Sequence, residues 1–224
     1  MAAIRTACGV ALLSLLAVSP LAARTEPSGP RQRCWGSNPN APILIEVFSD
    51  FECPMCRQLY LETMRAVLAD YAAPGKACVV YYEFPLGQHK HSRQAARYAH
   101  AAARLGPDKW VQVMDALFYF QSQWAAEGRD ATGQYPVGRT VTQTELESVV
   151  SKALSPPDMK KVREGLNDPK LEAAIDQDIA EGKRRGVSAT PTIFITANGQ
   201  TERVPGGVQY PLLQRYLDSL LARR

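Results

Sequence analysis

An apolar run, Ile43 to Phe48 (ILIEVF), stands just ahead of a Cys53-Pro54-Met55-Cys56 quartet, and that junction constrains the fold more than any other feature. A short, largely apolar run of this kind reads as a central strand. Ser49 to Glu52 then turns the chain, and Cys53 opens a helix. Pro54 takes the first helical position, where its missing N–H costs nothing. Tyr60, Met64, Val67, Leu68 and Tyr71 recur at helical spacing and are expected to face a core. Pro74-Gly75 ends the helix. Cys78 to Phe84 (CVVYYEF) reads as a second strand, rich in β-branched and aromatic residues and stopped by Pro85.

From His89 to Arg185 the pattern is helical. Trp110, Val113, Met114, Leu117, Phe118 and Trp124 form an apolar stripe at the 3.6-residue period. Thr142 with Glu145 makes a capping box ahead of Leu146, Val149 and Val150. Asp168-Pro169 starts another helix, carrying Leu171, Ala174, Ile175 and Ile179, and Gly186 ends it. Ala125 to Thr140 is polar and contains glycine, so a surface loop is expected there. Strands return with Thr192 to Thr196, a tight Ala197-Asn198-Gly199-Gln200 turn and Thr201 to Val204. Pro211 opens a last helix with Leu213, Tyr216, Leu217, Leu220 and Leu221 on one face. A sheet split by a helical insertion is the economical α/β reading.

The first residues bear on the compartment. Arg5 supplies a positive region, Val10 to Val18 is a short apolar run, Ser19-Pro20 breaks it, and Leu21-Ala22-Ala23 offers a cleavage site. That is the layout of a signal peptide over 1–23, with an uncleaved anchor as the alternative. The run is shorter than the roughly 20 residues a bilayer requires. Residues 24–40 read as an irregular arm rich in Pro, Gly, Ser and Asn. Loss of Arg5 with the leader lowers the formal charge from +4 to +3, with basic residues scattered. No nucleic-acid stripe is present.

Of five cysteines, Cys8 would leave with the leader. Cys34, Cys53, Cys56 and Cys78 remain, and four cysteines allow three pairings. If Cys53 pairs with Cys56, Cys34 and Cys78 are left for each other, and an oxidising compartment suits that second bridge.

A lone C-x-x-C also serves zinc sites, but these need four ligands. No second pair follows at finger-like spacing, and a lone His89-x-His91 reads as solvated or capping. No metal and no cofactor are expected, since the sulfurs carry the electrons themselves. A purely structural Cys53–Cys56 bridge would close a tiny loop and add little stability. The redox reading gives each residue a task. A sulfur at a helix N-terminus meets unpaired N–H groups and the positive end of the dipole, which stabilise a thiolate. Cys56, one turn later, faces inward. Phe48, Phe51 and Met55 are expected to keep the surroundings partly dry.

The segment Phe48-Ser49-Asp50-Phe51-Glu52-Cys53-Pro54-Met55-Cys56 resembles the active-site segment of DsbA-like thioredoxin-fold oxidoreductases. Val187-Ser188-Ala189-Thr190-Pro191-Thr192 resembles the family's cis-proline loop, and Phe84-Pro85-Leu86 and the Ala-rich stretch after His91 fit the same pattern. The resemblance spans residues 40–222. It implies a thioredoxin fold with an inserted all-helical domain: a thioredoxin-like domain over 41–88 and 186–224, and the insertion over 89–185. It also implies that Cys53 is the nucleophile, Cys56 the resolving thiol and Pro191 a cis residue, with Thr190 contacting substrate backbone.

The sequence departs from that family at two places. Its buried acid, six residues before the first cysteine, is replaced here by Val47. Glu46 lies one residue earlier, and strand alternation aims it at the opposite face. Glu46 on a local bulge, Glu83 on the neighbouring strand, or water are the candidate proton acceptors, and both glutamates read equally well as ordinary strand residues. Met55 stands where strongly oxidising members carry a charge-stabilising His, and Thr190 resembles the isomerase-like relatives.

The resemblance implies a periplasmic or otherwise exported dithiol oxidase acting on cysteine-containing exported proteins. Its reoxidising partner would be a membrane protein of the DsbB or vitamin-K-epoxide-reductase type. A disulfide reductase or isomerase is the alternative within the same chemistry, and a non-catalytic periplasmic peptide-binding or chaperone module the alternative outside it. No dimerisation domain precedes the cysteine pair, and a monomer is expected.

Overall fold

The computed structural model describes residue 31 and residues 33–125 and 143–223. The leader over 1–23, the start of the arm, Thr142 of the capping box and residues 126–140 of the surface loop lie outside the described residues.

Four strands form one sheet in the order β2-β1-β3-β4. β1 (Ile43–Ser49) is wholly buried and pairs parallel with β2 (Ala77–Glu83) and antiparallel with β3 (Thr192–Ala197). β4 (Gln200–Val204) pairs antiparallel with β3 through a turn in which Asn198 and Gly199 both take positive φ, 52° and 77°. Two such residues are what a two-residue hairpin turn requires, so the Asn-Gly signal was sound. β2 is an edge strand, and its outer side is met by the arm. The Trp35 N–H donates to the Val79 carbonyl across 2.7 Å, and the Val79 N–H returns the bond at 3.3 Å. A paired edge is closed to strand addition.

Helix α1 runs over residues 54–72. It begins as an α-helix (Pro54–Leu59), widens into π turns at Tyr60–Met64 and Leu68–Ala72, and is α-helical between them (Arg65–Val67). Its Tyr60, Met64, Val67 and Tyr71 are buried, while Leu68 is half-buried. Between β2 and β3 the described helices are α2 (Ser92–Ala103), α3 (Pro107–Tyr119), α4 (Gln121–Trp124), α5 (Gln143–Ala153), α6 (Pro156–Gly165) and α7 (Pro169–Arg184). The whole predicted stripe from Trp110 to Trp124 is buried. α7 starts where expected, with the Asp168 carboxylate capping the Lys170 N–H at 2.8 Å. Helix α8 (Tyr210–Ala222) closes the chain.

The sheet separates two apolar layers. Ile43, Ile45, Val47, Val79 and Tyr81 face the main core with Cys56, α1 and the helices between β2 and β3. Leu44, Phe48, Val80 and Tyr82 face a smaller cluster on the other side. This alternation corrects one expectation: Phe48 does not dry the cysteine site. It packs on the far face, stacked on Tyr82 with centroids 4.4 Å apart and edge-on to Phe84 and Phe194. Phe51 alone of the two phenylalanines reaches the Cys56 layer, and Met55 is 47% exposed rather than lining a dry pocket.

Candidate active site

Cys53 is the residue before the first turn of α1, in extended conformation, and its carbonyl accepts the Arg57 N–H. Cys56 lies one turn further on, wholly buried under it, and both are free thiols. The Cys53 sulfur is pulled down to about 6. The first cause is a hydrogen bond from the Cys56 thiol. Backbone N–H groups of Cys56 and Met55 and the proximity of Thr190 act in the same direction, against burial. Burial and the Cys53 charge push Cys56 the other way, well above a free thiol, with the Asp50 amide and Ser49 hydroxyl partly opposing them. The pair is thus divided, Cys53 favouring thiolate and Cys56 thiol, chiefly through their mutual hydrogen bond and the burial of Cys56, with the helix N-terminus adding to the first.

The loop before β3 faces this pair. The Cys53 sulfur lies 3.4 Å from the Thr190 carbonyl, the Thr190–Pro191 peptide is cis, and the Thr190 hydroxyl is buried without a hydrogen-bond partner. Gly206 backs this loop so closely that a Cβ there would sit 2.2 Å from the Pro191 carbonyl oxygen. Pro54 and Met55 form the outer lip, with the Met55 methyl group near Gly207. Gln121 of α4 ties the turn from inside, donating to the Phe51 carbonyl at 2.6 Å and the Cys53 carbonyl at 3.2 Å.

The two acid candidates fall on different faces. Glu46 stays in the ladder without a bulge, opposite Val80 and Phe194, and the sheet stands between it and Cys56. It accepts from the Tyr82 hydroxyl at 3.0 Å and Arg185 at 2.8 Å, and so is a structural ion-pair member. Glu83 pairs with Ser49 in the parallel register, beyond Tyr81 on the face that carries Cys56. Burial, then the neighbouring Asp178, raise its carboxyl well above the carboxylate range.

The sequence reading missed a buried network behind the pair. The Asp50 carboxylate accepts from His89 Nδ1 and the Leu86 N–H, each at 2.7 Å, from the Glu52 N–H at 2.8 Å, and from the Ser92 hydroxyl. Its own N–H donates to the Cys56 sulfur at 3.4 Å. Glu52 caps α2 by accepting from the His91 and Ser92 N–H groups. His89, read as solvated or capping, is therefore buried against a carboxylate. His91 occupies the cap position of α2. An acid three residues before a C-x-x-C, with a His just after the next strand, was the signal available.

Cys34 and Cys78 are joined in a disulfide with Cα atoms 5.3 Å apart, which ties the arm to β2. Beside it, Arg33 donates to Asp178 of α7 and to the Tyr81 carbonyl. No helix among the described residues is long and apolar enough to cross a membrane.

Comparison with known proteins agrees with this geometry. A family model described as thioredoxin matches residues 30–205. A probable disulfide bond formation protein D of Bacillus cereus is 20% identical over 159 residues, covering 71% of this chain and 68% of that protein. The crystal structure of alpha-DsbA1 from Wolbachia pipientis matches with a TM-score of 0.65 at 18% identity, over 85% of this chain and 91% of that one. Oxidised BdbD from Bacillus subtilis matches with a TM-score of 0.64 at 20% identity, over 88% and 96%. The fold is that of the DsbA structures.

Proposed function

This chain belongs to the thioredoxin family, in its DsbA-like form, and from that premise we propose that it is an exported dithiol oxidase, passing a Cys53–Cys56 disulfide to cysteine pairs of exported proteins. One observation carries the reading: a thiolate-favouring Cys53 at a helix start sits directly over a buried, thiol-favouring Cys56. Stabilising the Cys53 thiolate stabilises the reduced enzyme, and a dithiol that prefers to be reduced is an oxidant.

A substrate thiolate attacks the Cys53 sulfur of the oxidised pair, the Cys53–Cys56 bond breaks, and Cys56 departs as a thiolate that takes up a proton. The second substrate thiolate attacks the substrate sulfur of the mixed disulfide and releases Cys53 as a thiolate. The substrate loses two electrons and the pair gains them. In this direction Cys53 is the sulfur attacked and then the leaving group; when the reduced pair is reoxidised, Cys53 is the nucleophile and Cys56 the resolving thiol. Thr190 and Pro191 hold the substrate backbone beside Cys53. Glu83, on the Cys56 face, handles the Cys56 proton.

The same reading gives the chain a cleaved leader over 1–23, a thioredoxin-like domain over 41–88 and 186–224, and a helical insertion over 89–185. A membrane protein of the DsbB or vitamin-K-epoxide-reductase type restores the disulfide, and the protein works as a monomer. Met55, which brings no charge to Cys53, favours a milder couple and with it disulfide isomerisation as a second activity.

The test is catalysed oxidative refolding of reduced, unfolded ribonuclease by the oxidised protein. Recovery of ribonuclease activity is expected. Cys53→Ser and Cys56→Ser each abolish it, because neither can form the intramolecular disulfide that is passed on. Full activity of Cys53→Ser would leave only a non-catalytic peptide-binding or chaperone role.

A further inference from the structure

On the side of the molecule where the arm meets the helices between β2 and β3, a cavity of about 350 Å³ opens against the edge of the sheet. That volume lies in the range of small-molecule sites. None of Cys53, Cys56, Thr190 or Pro191 lines it, and of the groups assigned to the thiol chemistry only Glu83 does. Arg33, Cys34 and Trp35 of the arm supply one wall, held by the Cys34–Cys78 bridge, and β2, α2, α3 and α7 supply the others.

The lining divides by chemistry. Trp35 and Trp110, stacked on each other with centroids 3.8 Å apart, give an aromatic surface, extended by Leu171 and Ala174. Arg33, Arg104 and Lys170 stand exposed at the rim. Arg33 is paired with Asp178 and Arg104 with Asp168, whereas Lys170 has no ion pair among the described residues. Deeper in, Tyr81 and His100 each present a buried polar atom, Oη and Nε2, without a hydrogen-bond partner.

A buried hydroxyl left unbonded is costly, and a ligand or water normally supplies what it lacks. Here that hydroxyl is a donor at the base of an apolar slot whose rim is cationic. Burial and Asp178 push the carboxyl of the neighbouring Glu83 well above the carboxylate range, towards its neutral form, and the Asp178 carboxylate is itself paired with Arg33. Burial, and then Arg33, likewise hold the His100 imidazole neutral, pulled down to about 4. Arginine and lysine can only donate hydrogen bonds, so the site calls for acceptors on a flat apolar body.

We propose that this cavity is a binding site for a compact planar organic acid, its ring system against the Trp35–Trp110 wall and its carboxylate among Tyr81 Oη and the rim cations. The site recognises the acid by that pairing of an aromatic wall with donors.

The probe is 2-naphthoate, with 2-naphthylmethanol and 2-naphthylmethylammonium as neutral and cationic counterparts. They are titrated into the Cys34–Cys78-bridged protein by calorimetry and by the indole N–H resonances. The Trp124 indole, which donates to the Leu117 carbonyl inside the helical core, is an internal control. Saturable binding of the acid, moving the Trp35 and Trp110 signals but not Trp124, is expected, with the alcohol weaker by about tenfold and the amine inactive. Tyr81→Phe, which removes only the hydroxyl, should weaken the acid by about tenfold. Lys170→Gln, at an exposed position, should weaken it by about two- to fivefold. Equal binding of acid and alcohol, no saturable binding, or unchanged affinity in Lys170→Gln would overturn the proposal.

Discussion

The backbone N–H of Asp50 donates to the Cys56 sulfur across 3.4 Å, while the carboxylate of the same residue gathers donors 36 to 42 residues further along the chain. The turn that carries the cysteines is thereby fastened to the loop leading into α2. Asp50→Ala removes the acceptor from His89, the Leu86 N–H and the Ser92 hydroxyl at once. Leaving such buried donors unpaired should cost about 2–3 kcal/mol, read as a lower denaturant midpoint with unchanged slope. The Asp50 amide should also drift from Cys56, so the Cys56 thiol should titrate still higher. An unaltered midpoint would mean the network holds nothing.

Glu83 and Glu46 separate cleanly by substitution. Glu83→Gln keeps a neutral side chain where the native carboxyl is already held neutral, so stability should barely change. Thiol exchange at pH 7 should slow by about 10²-fold if that carboxyl moves the Cys56 proton. Glu46→Gln should do the reverse. It weakens a buried bond to Arg185 and should cost about 2 kcal/mol, with exchange kinetics intact. Stopped-flow exchange against a model disulfide, beside urea melts of both variants, distinguishes the two residues.

The pH dependence follows from Cys53. Alkylation of the reduced protein by iodoacetamide should rise through about pH 6 and level off above it, because the thiolate is the nucleophile. Stability carries the same signature. The folded value lies below that of an unfolded thiol, roughly 8.5. The thiolate's contribution is therefore full above that value and is lost as pH falls through about 6. Reduced protein should lose stability relative to oxidised protein on acidification across this window. A gap that stays constant from pH 9 to pH 5 would contradict the assignment.

Gly206→Ala tests how the loop opposite Cys53 is held. The added methyl group meets the Pro191 carbonyl oxygen, which is backbone and cannot swing aside. Overpacking of this kind should cost about 1–3 kcal/mol. The displaced Thr190–Pro191 segment should raise the KM for peptide thiols more than it lowers kcat. Gly87→Ala, where a Cβ meets no neighbour within 4 Å, is the control and should be neutral.

Much of this architecture is legible in sequence because its signals are local. The β1–α1 junction, the Asn198-Gly199 turn and the Asp168-Pro169 start each depend on a few adjacent residues. The faces of β1 were partly legible: alternation correctly set Glu46 apart from Val47, yet Phe48 was credited to the wrong side of the same strand. What stayed hidden required residues distant in sequence. Asp50 reads as an ordinary turn residue until the loop from Leu86 to Ser92 is folded onto it. His89 reads as a surface residue until that carboxylate is placed 2.7 Å away. The cavity at Tyr81 needs the arm, β2 and three helices together.

The central claim concerns the direction of electron flow at Cys53–Cys56, and the equilibrium reduction potential of that pair against glutathione tests it most directly. The account predicts a value between about −120 and −180 mV, the range of an oxidant or isomerase. A value near about −270 mV, that of a thioredoxin-like reductant, would contradict it.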